Sequence, residues 1–349
     1  MLIQERAQMK ILKLLVLSLA GLILLLGAVG LLLPQQVRVE RATVIAAKPA
    51  TVFVYLNGFK NFNQWSPWAA LDPKTQYSYE GPLMGVGAKQ SWASDDPNVG
   101  RGSQQITAVE FNQSITTQLM LPNMQPSVVT QTLIPEGEGT KVVWAMQADL
   151  GASPLNRWFG LLLPKFIGPD YEKGLASMKP LIEALPKHDL SGVTLVTTEA
   201  RPALTVSDSA SAAGDGAEVG AKLGAAYGKI SVWMKANGFE AADAPIAITR
   251  KFDEQTKFWE FDAGMIVNKP GAAPAADTGI QVISTYAGPA LKFTHVGSYI
   301  TMEPSYERMN AFMIVAGLAN SGNLWDHYVD DPTTKPEAEV KTDIYWPVK

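Results

Sequence analysis

The longest unbroken run of apolar residues lies near the N-terminus. Residues 14–33, LLVLSLAGLILLLGAVGLLL, carry no charge over 20 positions. At about 1.5 Å of rise per helical residue, such a run spans roughly the 30 Å of a bilayer core. The residues before the run are basic at Arg6, Lys10 and Lys13, whereas the charges just after it are mixed. The positive-inside rule therefore favours a cytoplasmic N-terminus, residues 1–13, and a single-pass anchor in the inner membrane with the later domains periplasmic.

A cleavable signal peptide is the alternative explanation of this run. The small residues Ala28 and Gly30 have the spacing of a cleavage site. The run is longer than the usual apolar core of a signal peptide, which favours an anchor that is not removed.

From Val37 to Leu185 the pattern changes to short alternating segments. VRVERATVIAA predicts a strand, and Pro49 after it suits the first turn of a helix, PATVFVYLNGF. Further alternating runs predict strands at residues 76–79, 86–92, 103–109, 114–119, 128–133 and 141–146. A long helical pattern closes the region at residues 154–185, with a break near Pro164 or Gly168-Pro169. This order predicts an α+β domain in which a curved antiparallel sheet grips a helix, with a pocket between them.

Residues 186–192, PKHDLSG, are typical of a linker, and a second domain at 193–349 follows. This domain contains an internal repeat, because YGKISVWMKANG, which starts at Tyr227, aligns with YERMNAFMIVAG, which starts at Tyr306, at an offset of 79 residues. The apolar residues of both segments have helical spacing. Strand-like segments flank each predicted helix: ALTVSDS, PIAITRKF and KFWEFDAGMIV for the first, and IQVISTYA, LKFTHVGSY, LWDHYV and KTDIYWPV for the second.

Two helix-plus-strands copies are expected to join into one antiparallel sheet with both helices on one face. The seam between the copies on the other face is then the expected place for a ligand. Gly238 suits the C-terminal cap of the first helix, whereas the second helix is expected to run on toward Gly322.

The composition of the chain excludes several kinds of partner and functional site. The 349 residues carry a formal net charge of −4 without a run of lysine and arginine, so a nucleic-acid partner is not expected. Cysteine is absent, which excludes disulfides, thiolate metal sites and a lipid-modified cysteine anchor. The three histidines, His188, His295 and His327, lack metal-ligand spacing, and no Gly-x-Ser-x-Gly motif is present. We therefore expect no metal, no cofactor and no serine hydrolase triad.

The first domain resembles the START-like polyketide cyclase/dehydrase superfamily, also called SRPBCC. The resemblance rests on IAAKPATVFVYLNGFKNFNQWSPW, GPLMGVGAKQSW, GEGTKVVWAMQ and YEKGLASMKPLIE. It implies a hydrophobic cavity for lipids, polyketides or other apolar small molecules. Trp65, Trp68 and Trp92 are the expected lining of that cavity, and the alternative is that they are ordinary core or rim aromatics.

The second domain resembles the GyrI-like, or bacterial effector-binding, domain. The matching segments are HVGSYITMEPSYERM, LWDHYVDDP and the closing KTDIYWPVK. The resemblance implies binding of amphipathic, aromatic and often cationic molecules, and some members are described as hydrolases. Many members are fused to DNA-binding helices, whereas here an anchor and a START-like domain take that place.

This resemblance makes Asp326 the principal candidate residue, because it occupies the position of the family's pocket glutamate. Strand alternation would place Asp326 and Tyr328 on one face and Trp325 on the other. Tyr328, Tyr299 and Tyr345 are the expected aromatic lining that would bind a ligand cation together with the carboxylate. A solvated carboxylate on an edge strand is the alternative.

We therefore expect a membrane-anchored protein that senses or carries apolar, aromatic or cationic amphipathic molecules. The alternative is a hydrolase of a reactive or hydrophobic compound, with Asp326 as its catalytic residue if it has one. Aspartate is one methylene shorter than glutamate, which withdraws its oxygens by about 1.5 Å and favours binding over turnover. A third reading makes both domains protein-interaction modules, and the sequence does not name a protein partner.

Overall fold

The computed structural model describes residues 2–122, 124–268 and 274–349. The chain forms two compact units, the first ending at Ala184 and the second beginning at Leu185. The fold is of the α+β class, with one antiparallel sheet in each unit.

The first unit opens with a long apolar helix, α1 (Leu2–Leu32). Its segment Leu12–Leu32 is long and apolar enough to cross a membrane, and only 6% of its most apolar 18-residue stretch is buried in the protein. A membrane span and a signal sequence both have these properties.

A seven-stranded sheet follows α1, in the order β1-β7-β6-β5-β4-β3-β2. Its elements in chain order are β1 (Gln36–Ile45), α2 (Pro49–Leu56), α3 (Phe62–Trp65), β2 (Gln76–Glu80), β3 (Lys89–Ala93), β4 (Arg101–Glu110), β5 (Ser114–Met120), β6 (Ser127–Glu136), β7 (Gly139–Asp149), α4 (Pro154–Gly160) and α5 (Leu163–Glu183). The apolar side of α5 packs against the sheet through buried residues that include Tyr171, Leu175 and Met178. The sheet thus curves around the helix, as the alternating pattern predicted.

One boundary in this unit differs from the sequence prediction, and the structure selects one of the two predicted positions for another. The strand expected from Val86 begins at Lys89, because Gly85 and Gly87 have φ of 79° and 95° and form a turn. The closing helical pattern breaks just before Pro164, which occupies the first turn of α5, while Pro169 lies inside that helix.

The second unit contains an eight-stranded sheet in the order β12-β9-β11-β10-β14-β15-β13-β8. Its elements are β8 (Thr194–Thr198), β9 (Pro202–Ser211), α6 (Ala217–Asn237), β10 (Ile246–Asp253), β11 (Phe258–Ile266), β12 (Gln281–Ser284), β13 (Gly288–Val296), α7 (Glu303–Ala316), β14 (Trp325–His327) and β15 (Lys341–Pro347). The two copies are β8-β9-α6-β10-β11 and β12-β13-α7-β14-β15. They exchange their first strands, since β8 pairs with β13 of the second copy and β12 pairs with β9 of the first.

The copies meet where β10 pairs with β14. Ala247 lies directly opposite Asp326 in this pairing, and the two residues are also equivalent under the repeat offset of 79. A pseudo-two-fold axis therefore passes between them. Equivalent glycines end the two helices, Gly238 with φ of 69° and Gly317 with φ of 68°. The second helix consequently stops at Ala316 and does not run on to Gly322, because a residue in the left-handed region ends the helical hydrogen-bond pattern.

Candidate functional site

The first unit encloses a cavity of about 290 Å³ between the sheet and the helices. Trp65, Trp68 and Trp92 all contribute to its wall. Trp65 is buried, whereas the other two are partly exposed. Sequence reasoning missed several further aromatic residues of the wall, among them Trp144 on β7 and Tyr171 on α5.

The aromatic wall is built around Trp144. Its ring stacks on Tyr171 with centroids 3.8 Å apart and planes 5° apart. Trp65 and Trp68 meet Trp144 edge-on at 5.1 and 6.1 Å. A Cβ at Gly174 would lie 2.8 Å from the Trp144 ring, so the close approach of α5 to this ring requires glycine. The rings leave an apolar wall with a defined shape.

A few polar groups also line the cavity. The Gln104 amide donates to Gln90 at 2.8 Å, and Gln90 donates to Asn63 at 3.0 Å. Tyr55 is buried, and its hydroxyl has no hydrogen-bond partner among the described residues. Burial raises the pKa of Tyr55 to about 12, so this hydroxyl is neutral at physiological pH.

The second unit buries Asp326, which is only 3% exposed. The Tyr306 hydroxyl lies 3.0 and 2.9 Å from the two carboxylate oxygens and donates a hydrogen bond that the two oxygens share. The structure shows no ion pair between Asp326 and a cationic side chain within its described residues. Burial raises the pKa of Asp326 to about 7, and the Tyr306 hydrogen bond offsets part of this rise. Asp326 is therefore not a solvated edge carboxylate.

Tyrosines surround this carboxylate on the side of the sheet that the helices cover. Tyr328 lies two residues beyond Asp326, and its ring meets those of Tyr227 and Tyr299 edge-on at 6.5 and 5.4 Å. Tyr227 is on α6 and Tyr306 is on α7. The Asp326 carboxylate thus faces the helices. The ligand site was expected at the seam between the two copies on the opposite face of the sheet, and for Asp326 this expectation is wrong. Periodicity tells which residues share a face, but not which face a helix covers.

Tyr345 does not join this cluster. It pairs with Trp325 across β14 and β15 and stacks on that ring, with centroids 4.9 Å apart and planes 4° apart. Lys292 lies 5.4 Å from the Tyr345 ring centroid. Because Trp325 and Asp326 are neighbours in one strand, Tyr345 lies on the face opposite to Asp326. The expectation that it would share a ligand with Asp326 is therefore corrected.

Two of the three histidines make contacts that hold elements of the fold together. His295 is buried between Ser305 at 2.9 Å and the Ser298 carbonyl oxygen at 3.1 Å, so it joins β13 to α7. His327 contacts Asp243 at 3.0 Å, on the Trp325 side of the sheet. The structure shows no cluster of three or more potential metal ligands within its described residues.

Sequence reasoning had placed Tyr306 and Tyr227 only in the apolar stripes of the two helices. One feature of the sequence does point to a role for these two hydroxyl groups, because the repeat has a tyrosine at both equivalent positions. A stripe position that needs only apolar volume does not require a hydroxyl.

Comparison with known proteins identifies both units. Residues 36–183 match the family model of the polyketide cyclase / dehydrase and lipid transport proteins. Residues 193–349 match the GyrI-like small molecule binding domain. The comparison with curated proteins found no match.

Solved structures share parts of the fold at low identity. An EcmrR–DNA complex is 16% identical, with a TM-score of 0.40 over 45% of this chain and 57% of that one. A hydrolase from Listeria innocua is 13% identical, with a TM-score of 0.34 over 49% of this chain and 97% of that one. The di-domain ARO/CYC StfQ of the steffimycin biosynthetic pathway is 14% identical, with a TM-score of 0.35 over 43% of this chain and 51% of that one. These values carry no functional argument.

The two family matches agree with the two folds and with the order of the units along the chain. The protein therefore combines a polyketide cyclase / dehydrase and lipid transport domain with a GyrI-like small molecule binding domain, behind an N-terminal apolar helix.

Proposed function

We propose that this protein is a membrane-anchored receptor or carrier that binds an apolar or aromatic molecule in the first unit and a cationic aromatic molecule in the second. The cavity of the first unit is the observation that carries the proposal. Its volume of about 290 Å³ is close to the lower end of the range for small-molecule pockets, which are mostly apolar with a few polar groups.

The polar groups of the cavity define the kind of apolar ligand. Gln90 and Gln104 line the cavity and would hydrogen-bond a carbonyl or hydroxyl group of the ligand. Stacked rings such as those of Trp144 and Tyr171 favour a flat, aromatic ligand body.

The buried carboxylate supports a cationic ligand in the second unit. An unpaired buried charge costs several kcal/mol, and a ligand cation at Asp326 would offset that cost. The faces of Tyr328 and Tyr299 would add cation–π attraction of up to about 2 kcal/mol when desolvated. Tyr299 is partly exposed, which gives this cluster a side in contact with solvent.

The anchoring part of the proposal rests on α1. Its leucine-rich surface is almost wholly exposed in the protein, and a bilayer is the environment in which such a surface is stable. We propose that the N-terminus is cytoplasmic and that both units are periplasmic.

Hydrolysis is the second candidate function, and the ionisation of Asp326 favours it. A carboxyl group with a pKa of about 7 is well matched to general acid–base catalysis at neutral pH. Sustained product release from aromatic esters, lost in Asp326→Asn, would select this function over binding alone.

The cavity is tested with the fragment 35–349, which lacks α1, by native mass spectrometry for co-purified molecules and by titration with the neutral dye Nile red. Leu119→Trp places a large side chain in the cavity wall and is expected to abolish dye binding. Gln118→Trp is the matched control, because residue 118 is exposed on the same strand. Equal dye affinity in the two variants would contradict the cavity as the binding site.

The acidic site is tested by titration with the lipophilic cation rhodamine 6G. Asp326→Asn is expected to weaken binding by about 1–3 kcal/mol at pH 8, the scale for losing a charge-assisted partner. Asp277→Asn is the control, since Asp277 is exposed and lies just before β12 at the edge of the sheet. A ligand cation holds Asp326 ionised, so wild-type affinity should fall as the pH drops below about 7. Equal, small effects of both substitutions would refute a cation site.

A further inference from the structure

The corner between α4 and α5 exposes a strip of large apolar side chains: Leu155, Phe159, Leu161, Leu162 and Phe166. Leu155 is 80% exposed. The rings of Phe159 and Phe166 lie 6.3 Å apart, which joins the two helices' contributions into one surface. A contiguous exposed apolar surface of this kind marks a contact with a partner or a membrane.

This strip is fixed beside the C-terminal end of α1. The Trp158 indole donates to the Leu26 carbonyl oxygen at 2.9 Å. The Arg157 guanidinium donates to the carbonyl oxygens of Leu31 at 2.5 Å and Leu33 at 3.3 Å, and so caps the end of that helix. A Cβ at Gly30 would lie 2.7 Å from Pro154, so glycine allows α4 to approach α1 this closely.

These contacts set the depth of α4 along the apolar run. Leu26 lies seven residues before the end of the run at Leu33, which is about 10 Å along a helix. An α1 that spans a bilayer with residues 14–33 therefore holds Trp158 within about 10 Å of the end of the apolar run, on the acyl-chain side of the boundary with the headgroups. The strip on α4 continues this apolar surface sideways from α1.

The end of the sheet next to α4 carries a second group of exposed apolar residues. Gln36 at the start of β1 pairs with Asp149 just before α4, and β5 reaches the same end at Met120. Met120 and Met124 are both exposed. Phe111, by contrast, lies in the turn between β4 and β5 at the opposite end of the sheet.

We propose that the α4–α5 corner lies in the interface of the bilayer that α1 spans, with lipid covering the strip. The proposal rests on the proposed anchoring by α1. Ile167, which follows Phe166, lines the cavity, so one cavity wall begins at the membrane surface. The apolar ligand of the first unit is accordingly a molecule dissolved in the membrane.

Single-cysteine labelling tests this arrangement cleanly, because the chain contains no native cysteine. The full-length protein is placed at one copy per nanodisc of phosphatidylcholine and phosphatidylglycerol, and the label is the fluorophore NBD. The label positions are Leu155→Cys and Phe159→Cys on the strip, Phe111→Cys at the far end of the sheet, and Leu22→Cys in the middle of α1.

Labels at 155 and 159 are expected to emit at shorter wavelength than the label at 111 and to be quenched several-fold more strongly by brominated lipid. Water-like emission without quenching at 155 and 159 would overturn the inference. If the labels at 155 and 159 are not quenched but the label at 22 is, α1 spans the bilayer and only the inference fails. If the label at 22 is not quenched either, the anchoring by α1 itself fails. Shifted emission that requires a second copy per disc, without quenching, would assign the strip to a protein contact and equally overturn the inference.

Discussion

The two halves of the second unit have equivalent backbones and different chemistry at their common axis. Tyr227 on α6 donates to the main-chain oxygen of Ile246 at 2.9 Å. The equivalent Tyr306 on α7 donates to the carboxylate of Asp326. The difference follows from the strand residue that each tyrosine approaches, since Ala247 in the first copy stands where Asp326 stands in the second.

This comparison teaches why the site is asymmetric. The axis passes between Ala247 and Asp326, which face each other directly across β10 and β14. Opposed side chains in an antiparallel pair have Cβ atoms about 4.5–5.5 Å apart. A carboxylate at both positions would place two buried negative charges side by side. A buried pair of this kind is unfavourable, so the duplicated framework accommodates one acid.

The largest expected effect comes from restoring the symmetry with Ala247→Asp. Two buried carboxylates at this separation should destabilise the second unit by roughly 5 kcal/mol or more at pH 8, from desolvation and mutual repulsion. Calorimetric unfolding across pH 5 to 8 measures the loss, which should shrink at low pH as the pair takes up protons.

Ala247→Asn is the matched control for this substitution. Asparagine has nearly the same shape without the charge, so its cost should be smaller and nearly independent of pH. Equal losses in the two variants at pH 8 would mean that volume, and not charge, excludes a second acid.

The next largest effect concerns the free energy that the protein loses by burying the carboxylate of Asp326. The pKa of Asp326 is raised from 3.8 to about 7 in the folded protein, so between these values the folded state binds more protons than the unfolded state. Stability should therefore fall as pH rises from about 4 to 7 and stay low above it. A shift of about three units corresponds to roughly 4 kcal/mol.

Asp326→Asn should remove this pH dependence and be more stable than the parent above pH 7. Thermal midpoints of the parent and the variant at pH 5, 6, 7 and 8 measure the effect. Parallel curves for the two proteins would show that Asp326 does not titrate in this range.

The smallest expected effects come from removing the hydroxyl group of Tyr306 or of Tyr227. Tyr306→Phe removes the donor to a charged group and should cost about 1.5–3 kcal/mol at pH 8, whereas Tyr227→Phe removes a neutral hydrogen bond and should cost about 0.5–1.5 kcal/mol. The Tyr306 hydrogen bond lowers the Asp326 pKa, so the first loss should diminish at pH 5 and the second should not. Chemical denaturation at both pH values checks this, and an identical pH response in the two variants would remove the distinction.

Local patterns were sufficient for most elements of the fold. Alternation along the first unit predicted β4 to β7, and the repeated helical stripe predicted α6, α7 and the duplication. They missed β8, although its sequence TLVTT is rich in β-branched residues, because so short a segment has little periodicity. Its partner β13 lies about 95 residues away in the chain, and a pairing at that distance has no local signal.

The candidate site shows the same division between local and long-range information. The sequence by itself determined that Asp326 and Tyr328 share a strand face and that Tyr227 and Tyr306 are equivalent, because these relations depend only on periods of 2 and 3.6 residues and on the repeat offset. Tertiary structure alone decided that Asp326 faces the helices, that Tyr306 is its partner, that Tyr345 lies on the other face, and that Trp144 stacks on Tyr171. Each of these contacts joins different elements of the fold, and only the packing of one element on another selects which faces meet.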